Sequence, residues 1–189
     1  MKTLVIVAHP QLDISKVNKV WLDRLNQNED ITVHDLYAVY PDKVIEATKE
    51  QELLLAHDRI VFQFPFYWYS APSFFKMWQE VVLDSSWLIG GGGRGRGLAG
   101  KELLLAISTG SHEQAYQAGG FQGFAMSEFT KPYQALAGLI GMSFLPSFIF
   151  HGAANASEEA IQQSAERYLQ HVLNPNLDPR KSLMQAISK

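Results

Sequence analysis

A chain of 189 residues that is 47% hydrophobic and 19% charged has room for one domain with a sizeable core. Its net charge of −3, with no long run of like charge and no basic helix, gives no basis for a nucleic-acid or lipid-surface partner. The lack of cysteine rules out disulfide scaffolds, thiolate metal sites and cysteine nucleophiles, and fits a cytoplasmic protein.

Leu4 to Ala8 is a continuous apolar run, the pattern of a strand buried on both faces of a parallel sheet. It is short and ends at His9-Pro10, so it makes a poor signal peptide, and no apolar stretch is long enough to span a bilayer. Ser15 is a candidate N-cap, and Val17, Trp21 and Leu25 then form one apolar helical stripe. Ile31-Thr32-Val33 starts a second strand that runs into His34-Asp35-Leu36-Tyr37, and Tyr40-Pro41-Asp42 is a turn. A helix is predicted from about Glu46 to His57, then a third strand from Ile60 to Phe64.

Next comes Phe64-Pro65-Phe66-Tyr67-Trp68-Tyr69-Ser70-Ala71-Pro72, an aromatic connection bracketed by prolines, which leads into a helix from Ser73 to about Leu83. Exposing that much aromatic surface is unfavourable unless something flat covers it, a ligand or another subunit. Gly90 to Gly97 is a flexible loop by composition. Leu103 to Ile107 is the fourth strand, ending at Ser108-Thr109-Gly110-Ser111, and a Gly-, Phe- and Gln-rich loop follows to about Met126. A helix from Ser127 to Leu139 carries Pro132 in its early part. Phe144 to Phe150 contains a fifth strand with Pro146 near its start, and Ser157 caps a last helix that stops at Asn174-Pro175. The tail carries little signal, so residues 1–175 are expected to form a single domain and 176–189 a C-terminal tail.

This βαβαβαβαβα order predicts an α/β fold: a five-stranded parallel sheet in the flavodoxin-like order 2-1-3-4-5, with helices on both faces. Such an order brings the ends of strands 1, 3 and 4 together at the switch point, where ligands bind. Three loops meet there. The first, His9-Pro10 to Ser15, Lys16, Val17 and Asn18, opens a helix N-terminus suited to phosphate; taken alone, Ser15 is only an N-cap and His9 only a loop histidine. The second, Pro65, Phe66, Tyr67, Trp68 and Tyr69, offers aromatic faces and backbone amides to a flat ring, or a dimer interface, or both. The third, Ser108, Thr109, Gly110 and Ser111, adds hydroxyl and amide donors, or is an ordinary strand exit. Together they describe a pocket for flavin mononucleotide.

Val5-Ile6-Val7-Ala8-His9-Pro10, the run Phe62 to Pro72 with Lys76-Met77-Trp78, and Ser108-Thr109-Gly110 resemble the flavodoxin-like NAD(P)H:quinone oxidoreductases. His34 to Tyr37, Tyr40-Pro41-Asp42 and Leu98-Ala99-Gly100-Lys101 are similar to a subgroup, the ancillary subunits of the glutathione-regulated potassium-efflux system. The resemblance covers about residues 3–175. It implies FMN rather than FAD, NAD(P)H as electron donor, a quinone-like acceptor, and flavin contacts along the three loops just named. It also implies a homodimer with the flavin near the interface. The subgroup implies a potassium/proton antiporter as partner, on the inner face of the cell membrane. Tyr116 matches a tyrosine that stabilises charge on the reduced flavin in the animal enzymes, but the histidine expected six residues later is Gln122 here. An electron-transfer flavodoxin fits less well, since those are strongly acidic.

Other motifs fail on context. Gly95-Arg96-Gly97-Leu98-Ala99-Gly100 matches a dinucleotide fingerprint but precedes a strand, and reads instead as a mobile loop near the site. His112 has Tyr116 and not histidine four residues on, and His34, His57, His151 and His171 show no ligand spacing, so no metal site is expected. Ser111 lacks the flanking glycines of a nucleophile elbow.

Overall fold

A computed structural model describes residues 1–88 and 94–187. Its elements in chain order are β1 (Thr3–Val7), α1 (Lys16–Leu25), β2 (Ile31–Asp35), α2 (Leu36–Val39), α3 (Ala47–Leu55), β3 (Arg59–Pro65), α4 (Ser73–Val82) and α5 (Ser85–Leu88). After these come β4 (Glu102–Ser108), α6 (Met126–Phe129), α7 (Lys131–Ile140), β5 (Ser143–Phe144), β6 (Phe148–Phe150), α8 (Glu158–Leu173) and α9 (Pro179–Ile187). The strands are all parallel and run β2-β1-β3-β4-β5, with β6 also paired to β4. This is the predicted order.

Strand periodicity divides the core in two. Leu4, Ile6, Ile60, Phe62, Phe64, Leu103, Leu105 and Ile107 face Leu54, Phe74, Phe75, Trp78 and Tyr133 of α3, α4 and α7. Val5, Val7, Val61, Leu104 and Ala106 face Val17, Trp21, Leu25, Ile161, Ala165 and Tyr168 of α1 and α8. With both faces covered, β1, β3 and β4 are buried along their whole lengths, which is why they read as unbroken apolar runs. Val7 pairs with Gln63, and Pro65 with Ser108, so the three strands end side by side.

Four expectations need correction. The fifth strand is two pieces: Leu103 pairs with Phe144 but Ala106 with Phe148, so three residues, Leu145 to Ser147, oppose two. Pro146 sits in that bulge, where a missing N–H costs no ladder bond. The helix expected from Ser127 breaks at Thr130, and Pro132 lies in the first turn of α7, because its ring nitrogen cannot bond back into α6. Strand β2 stops at Asp35, whose carboxylate accepts the N–H groups of Tyr37 (3.0 Å) and Ala38 (3.4 Å) and caps α2.

The fourth concerns the glycine loop. Gly90 to Gly93 lie outside the described residues, but Arg94 to Leu98 form a 3-10 turn leading into β4, with Leu98 buried beside α3. That turn is at the amino end of the sheet, opposite the strand ends where the ligand loops meet.

The tail holds more structure than its composition signals. Residues 179–187 form α9, and Lys181 Nζ donates to Glu102 Oε1 at 2.6 Å. Glu102 also pairs with the fully buried Arg59 guanidinium at 2.7 Å, which reaches the carbonyls of Val172 and Asn174 and so ties α8 to the sheet. Among the described residues no helix is long and apolar enough to cross a membrane.

A second buried network holds α4 in place. The Glu50 carboxylate of α3 accepts from Tyr40 Oη (2.6 Å), Trp78 Nε1 (2.8 Å) and His34 Nε2 (2.8 Å). Three buried side-chain oxygens have no hydrogen-bond partner among the described residues: Thr3 Oγ1, Gln63 Oε1 and the completely sealed Tyr168 hydroxyl. Tyr168→Phe removes that desolvated hydroxyl and is expected to stabilise the fold by about 1 kcal/mol in urea unfolding. A comparable loss would reveal a partner for the hydroxyl.

Candidate cofactor cleft

The loops after β1, β3 and β4 enclose a cleft of about 390 Å³, within the size range of small-molecule sites. Of the residues expected there, His9, Ser15, Lys16, Val17 and Asn18 line it from the first loop. Pro65, Phe66 and Tyr67 line it from the second, and Ser108, Thr109 and Gly110 from the third. Trp68, Tyr69, Ser111 and Tyr116 are not in its lining. Ile14, Gln11, Ala153 and Ala154 are, and residue type gave no sign of them.

His9 is buried, and burial holds its pKa below the ordinary histidine value, so it is neutral near pH 7. Its Nδ1 accepts the Gln11 N–H at 3.1 Å, which puts the proton on Nε2 and leaves that N–H unspent. Ser15 Oγ accepts the Asn18 N–H at 3.2 Å, the predicted N-cap. Lys16 and Val17, the first two residues of α1, have no intrahelical acceptor for their N–H groups.

Asn18 locks two loops together. Its Nδ2 donates to Ser108 Oγ at 2.9 Å, while its carbonyl accepts Gln63 Nε2 at 3.2 Å. Gln63 read only as a strand residue in the sequence; it is a fully buried polar group, bonded to Asn18 but outside the cleft lining, whose Oε1 finds no partner among the described residues. A glutamine inside a run of Val and Phe was the one available signal.

The aromatic loop is a two-residue hairpin turn. Tyr67 N–H donates to Ser70 O at 2.9 Å and Ser70 N–H to Tyr67 O at 3.0 Å. Trp68 and Tyr69 between them have φ of 49° and 65°, left-handed values that favour Asn-Gly. Each such residue costs on the order of 1–3 kcal/mol, strain of a kind that gathers at functional sites. Trp68 is 93% exposed. Tyr69 stacks on Phe129 at 5.5 Å and borders a separate groove of about 570 Å³ between α4 and α7.

The backbone donors expected at 66–69 and 109–111 are only partly free. Phe66 N–H bonds Ser108 O, Tyr67 N–H bonds Ser70 O, and Thr109 N–H bonds Phe150 O. The N–H groups of Trp68, Tyr69, Gly110 and Ser111 have no acceptor among the described residues.

Tyr116 lies behind the cleft. Its ring is buried against Phe66 (5.9 Å), Phe129 (6.3 Å) and His151 (5.3 Å). Gln122, where a histidine was expected, donates to Ser111 Oγ at 3.2 Å. His151, which showed no ligand spacing, comes to Tyr116 from the end of β6.

A family model described as flavodoxin-like fold matches residues 1–172. The chain belongs to that flavodoxin-like family. A curated relative, the uncharacterized NAD(P)H oxidoreductase YrkL of Bacillus subtilis, is 54% identical over 91% of this chain and 98% of its own length. The glutathione-regulated potassium-efflux system ancillary protein KefG of Yersinia enterocolitica is 38% identical over 92% of this chain and 94% of its own. Among solved flavodoxin-like structures, general stress protein 14 of Treponema denticola, in complex with FMN, is 38% identical, with a TM-score of 0.85 over 91% of this chain and 98% of its own. An NADPH-quinone reductase of P. pentosaceus is 34% identical, with a TM-score of 0.83 over 92% and 99%.

Proposed function

We propose that the cleft binds FMN and that the protein is an NAD(P)H dehydrogenase passing two electrons, through the flavin, to a quinone-like acceptor. The observation that carries this reading is the convergence of unspent donors on one cleft. His9 Nε2–H and the amides of Lys16 and Val17 lie on one side and the Gly110 amide on the other, while Ser111, Trp68 and Tyr69, next in the same two loops, carry unspent amides outside the lining. The first set suits a phosphate at a helix N-terminus. The second suits the polar edge of a flat ring, and Tyr67 offers a ring face beside His9 at 6.1 Å. The FMN complex of general stress protein 14 supports the same choice of ligand.

Bound FMN supplies hydride chemistry, with NAD(P)H as donor. The chain's own residues bind and tune it. The Gly110 amide, held by the 109–111 loop, would stabilise negative charge on the ring without reorganising. The rings of Phe66, Tyr116 and Phe129 keep water from the inner wall. The Tyr116 hydroxyl, on a ring packed against Phe66 and His151, is the candidate for stabilising charge on the reduced ring. Titrating FMN into cofactor-free protein should give saturable, one-to-one binding, with FAD weaker; no binding would refute the reading.

Exposed Tyr69 and Leu139 line the α4–α7 groove, and Trp68 of the hairpin and Met77 and Val81 of α4 are exposed as well, which supports a homodimer closing on that side. A second functional reading is favoured by the KefG relative: an ancillary subunit docking from the cytoplasm on a potassium/proton antiporter of the cell membrane. Efflux lost on deletion and kept by a flavin-site variant would support it. Efflux unchanged on deletion would rule it out.

A further inference from the structure

We propose that His151 is a positioning residue: through Thr109 it fixes the loop whose Thr109 and Gly110 line the cofactor cleft. The proposal rests on the FMN reading for its functional half, while its hydrogen-bond half stands on the chain alone.

The end of β6 and the residues after it run beside the 109–111 loop as a backbone clamp. Phe150 O accepts Thr109 N–H (2.9 Å), Gly152 N–H donates to Ser111 O (2.8 Å), and Ala153 N–H donates to Thr109 O (2.9 Å). These bonds use the Thr109 amide and leave those of Gly110 and Ser111 without an acceptor among the described residues. The path of the clamp is narrowly set at Gly152. Its φ is +75°, and a Cβ there would stand 2.9 Å from His112 Nδ1.

The side chains then fix a tautomer. Thr109 Oγ1 lies 2.9 Å from Ser111 O and 3.0 Å from His151 Nδ1. A carbonyl can only accept, so the threonine proton is committed to Ser111 O. The contact with His151 therefore needs Nδ1–H as donor, and Nε2 is left with its lone pair. Burial lowers the His151 pKa, opposed by the nearby Glu113 charge, which agrees with a neutral ring. Tyr116 packs on the imidazole at an interplanar angle of 32° and holds it from the other side. Without the Nδ1–H, the Thr109 hydroxyl loses the contact that fixes its direction, and its bond to the Ser111 carbonyl is no longer held in place.

Three variants separate this role from simple packing. His151→Asn supplies an amide N–H close to the place of Nδ1–H but no ring. His151→Phe supplies a ring but no donor. Thr109→Val removes the hydroxyl itself. In the cofactor-free protein, imidazole 15N shifts should report the Nδ1–H tautomer. His151→Phe should weaken FMN binding roughly tenfold and weaken the reduced form about tenfold further, a fall of about 30 mV in a two-electron potential. His151→Asn should stay within about threefold of the wild type on both readouts, while Thr109→Val should match His151→Phe and the double variant add nothing. If His151→Phe does not fold, Thr109→Val against His151→Asn carries the same contrast. An Nε2–H tautomer, or His151→Asn losing as much as His151→Phe, would overturn the proposal. So would variants indistinguishable from a wild type that binds FMN. A wild type that binds no FMN would instead refute the FMN reading, and the tautomer would still test the hydrogen-bond half.

Discussion

Replacing Glu50 with alanine is expected to cost about 3–5 kcal/mol of stability, the range for breaking a buried charged network by removing one member. The carboxylate is 2% exposed and accepts from three side chains on three different segments: His34 in β2, Tyr40 after α2 and Trp78 in α4. Alanine leaves those donors facing an apolar void, each unsatisfied donor costing roughly 1–3 kcal/mol. Glu50→Gln keeps the shape but turns an N–H2 toward one of the donors, so a loss of about 2 kcal/mol is expected. Denaturant unfolding reads both, and a loss under about 1 kcal/mol for the alanine variant would show that the network is not load-sharing.

The pH dependence gives a second signature. Burial by itself raises the Glu50 pKa, but the bonds from His34 and Tyr40, the His34 charge and the Trp78 bond outweigh it and leave the pKa lowered. A depressed folded pKa means stability that is present above the unfolded value, near 4.5, and lost as pH falls through the folded one. The wild type should therefore lose more stability on acidification below that value than Glu50→Ala does.

Converting Trp68-Tyr69 to Asn-Gly should make the cofactor-free monomer more stable by about 1–2 kcal/mol while impairing function. Both positions have left-handed backbone, which Asn and Gly adopt with less strain. The aromatic pair is kept despite that cost, so its rings must serve something other than the fold. The hairpin and its amides survive in the variant, but the exposed ring surface is gone. If that surface closes the dimer, the dissociation constant should rise by about a hundredfold or more, as when two aromatic anchors are removed. Sedimentation and urea unfolding together test this. A variant no more stable than the wild type would mean the turn is not strained, and unchanged dimerisation would mean the rings lie outside the interface.

Much of the fold was legible because its signals are local. β1, β3 and β4 are covered on both faces and so spell themselves as apolar runs, and the Val17, Trp21, Leu25 stripe and the Ser15 cap mark α1. Strand order then placed the three loops, and most of the residues expected in the cleft do line it. What stayed hidden depends on partners far along the chain. The bulge at Pro146 exists only against Leu103 and Ala106. Helix α9 is held by Glu102, 79 residues before Lys181. His151 meets Thr109 across 42 residues, and nothing in either residue's neighbourhood announces the other. The spending of the Phe66, Tyr67 and Thr109 amides is likewise a tertiary fact, as is the left-handed backbone at Trp68 and Tyr69, residue types that argue against it.

The most direct test of the central claim is the visible absorbance of the purified protein after incubation with FMN and removal of the excess, recorded anaerobically before and after NADH or NADPH. The account predicts a retained yellow chromophore that bleaches with at least one of the two nucleotides and recovers its colour on adding a quinone. Protein that stays colourless, or a retained flavin that neither nucleotide reduces, would contradict it.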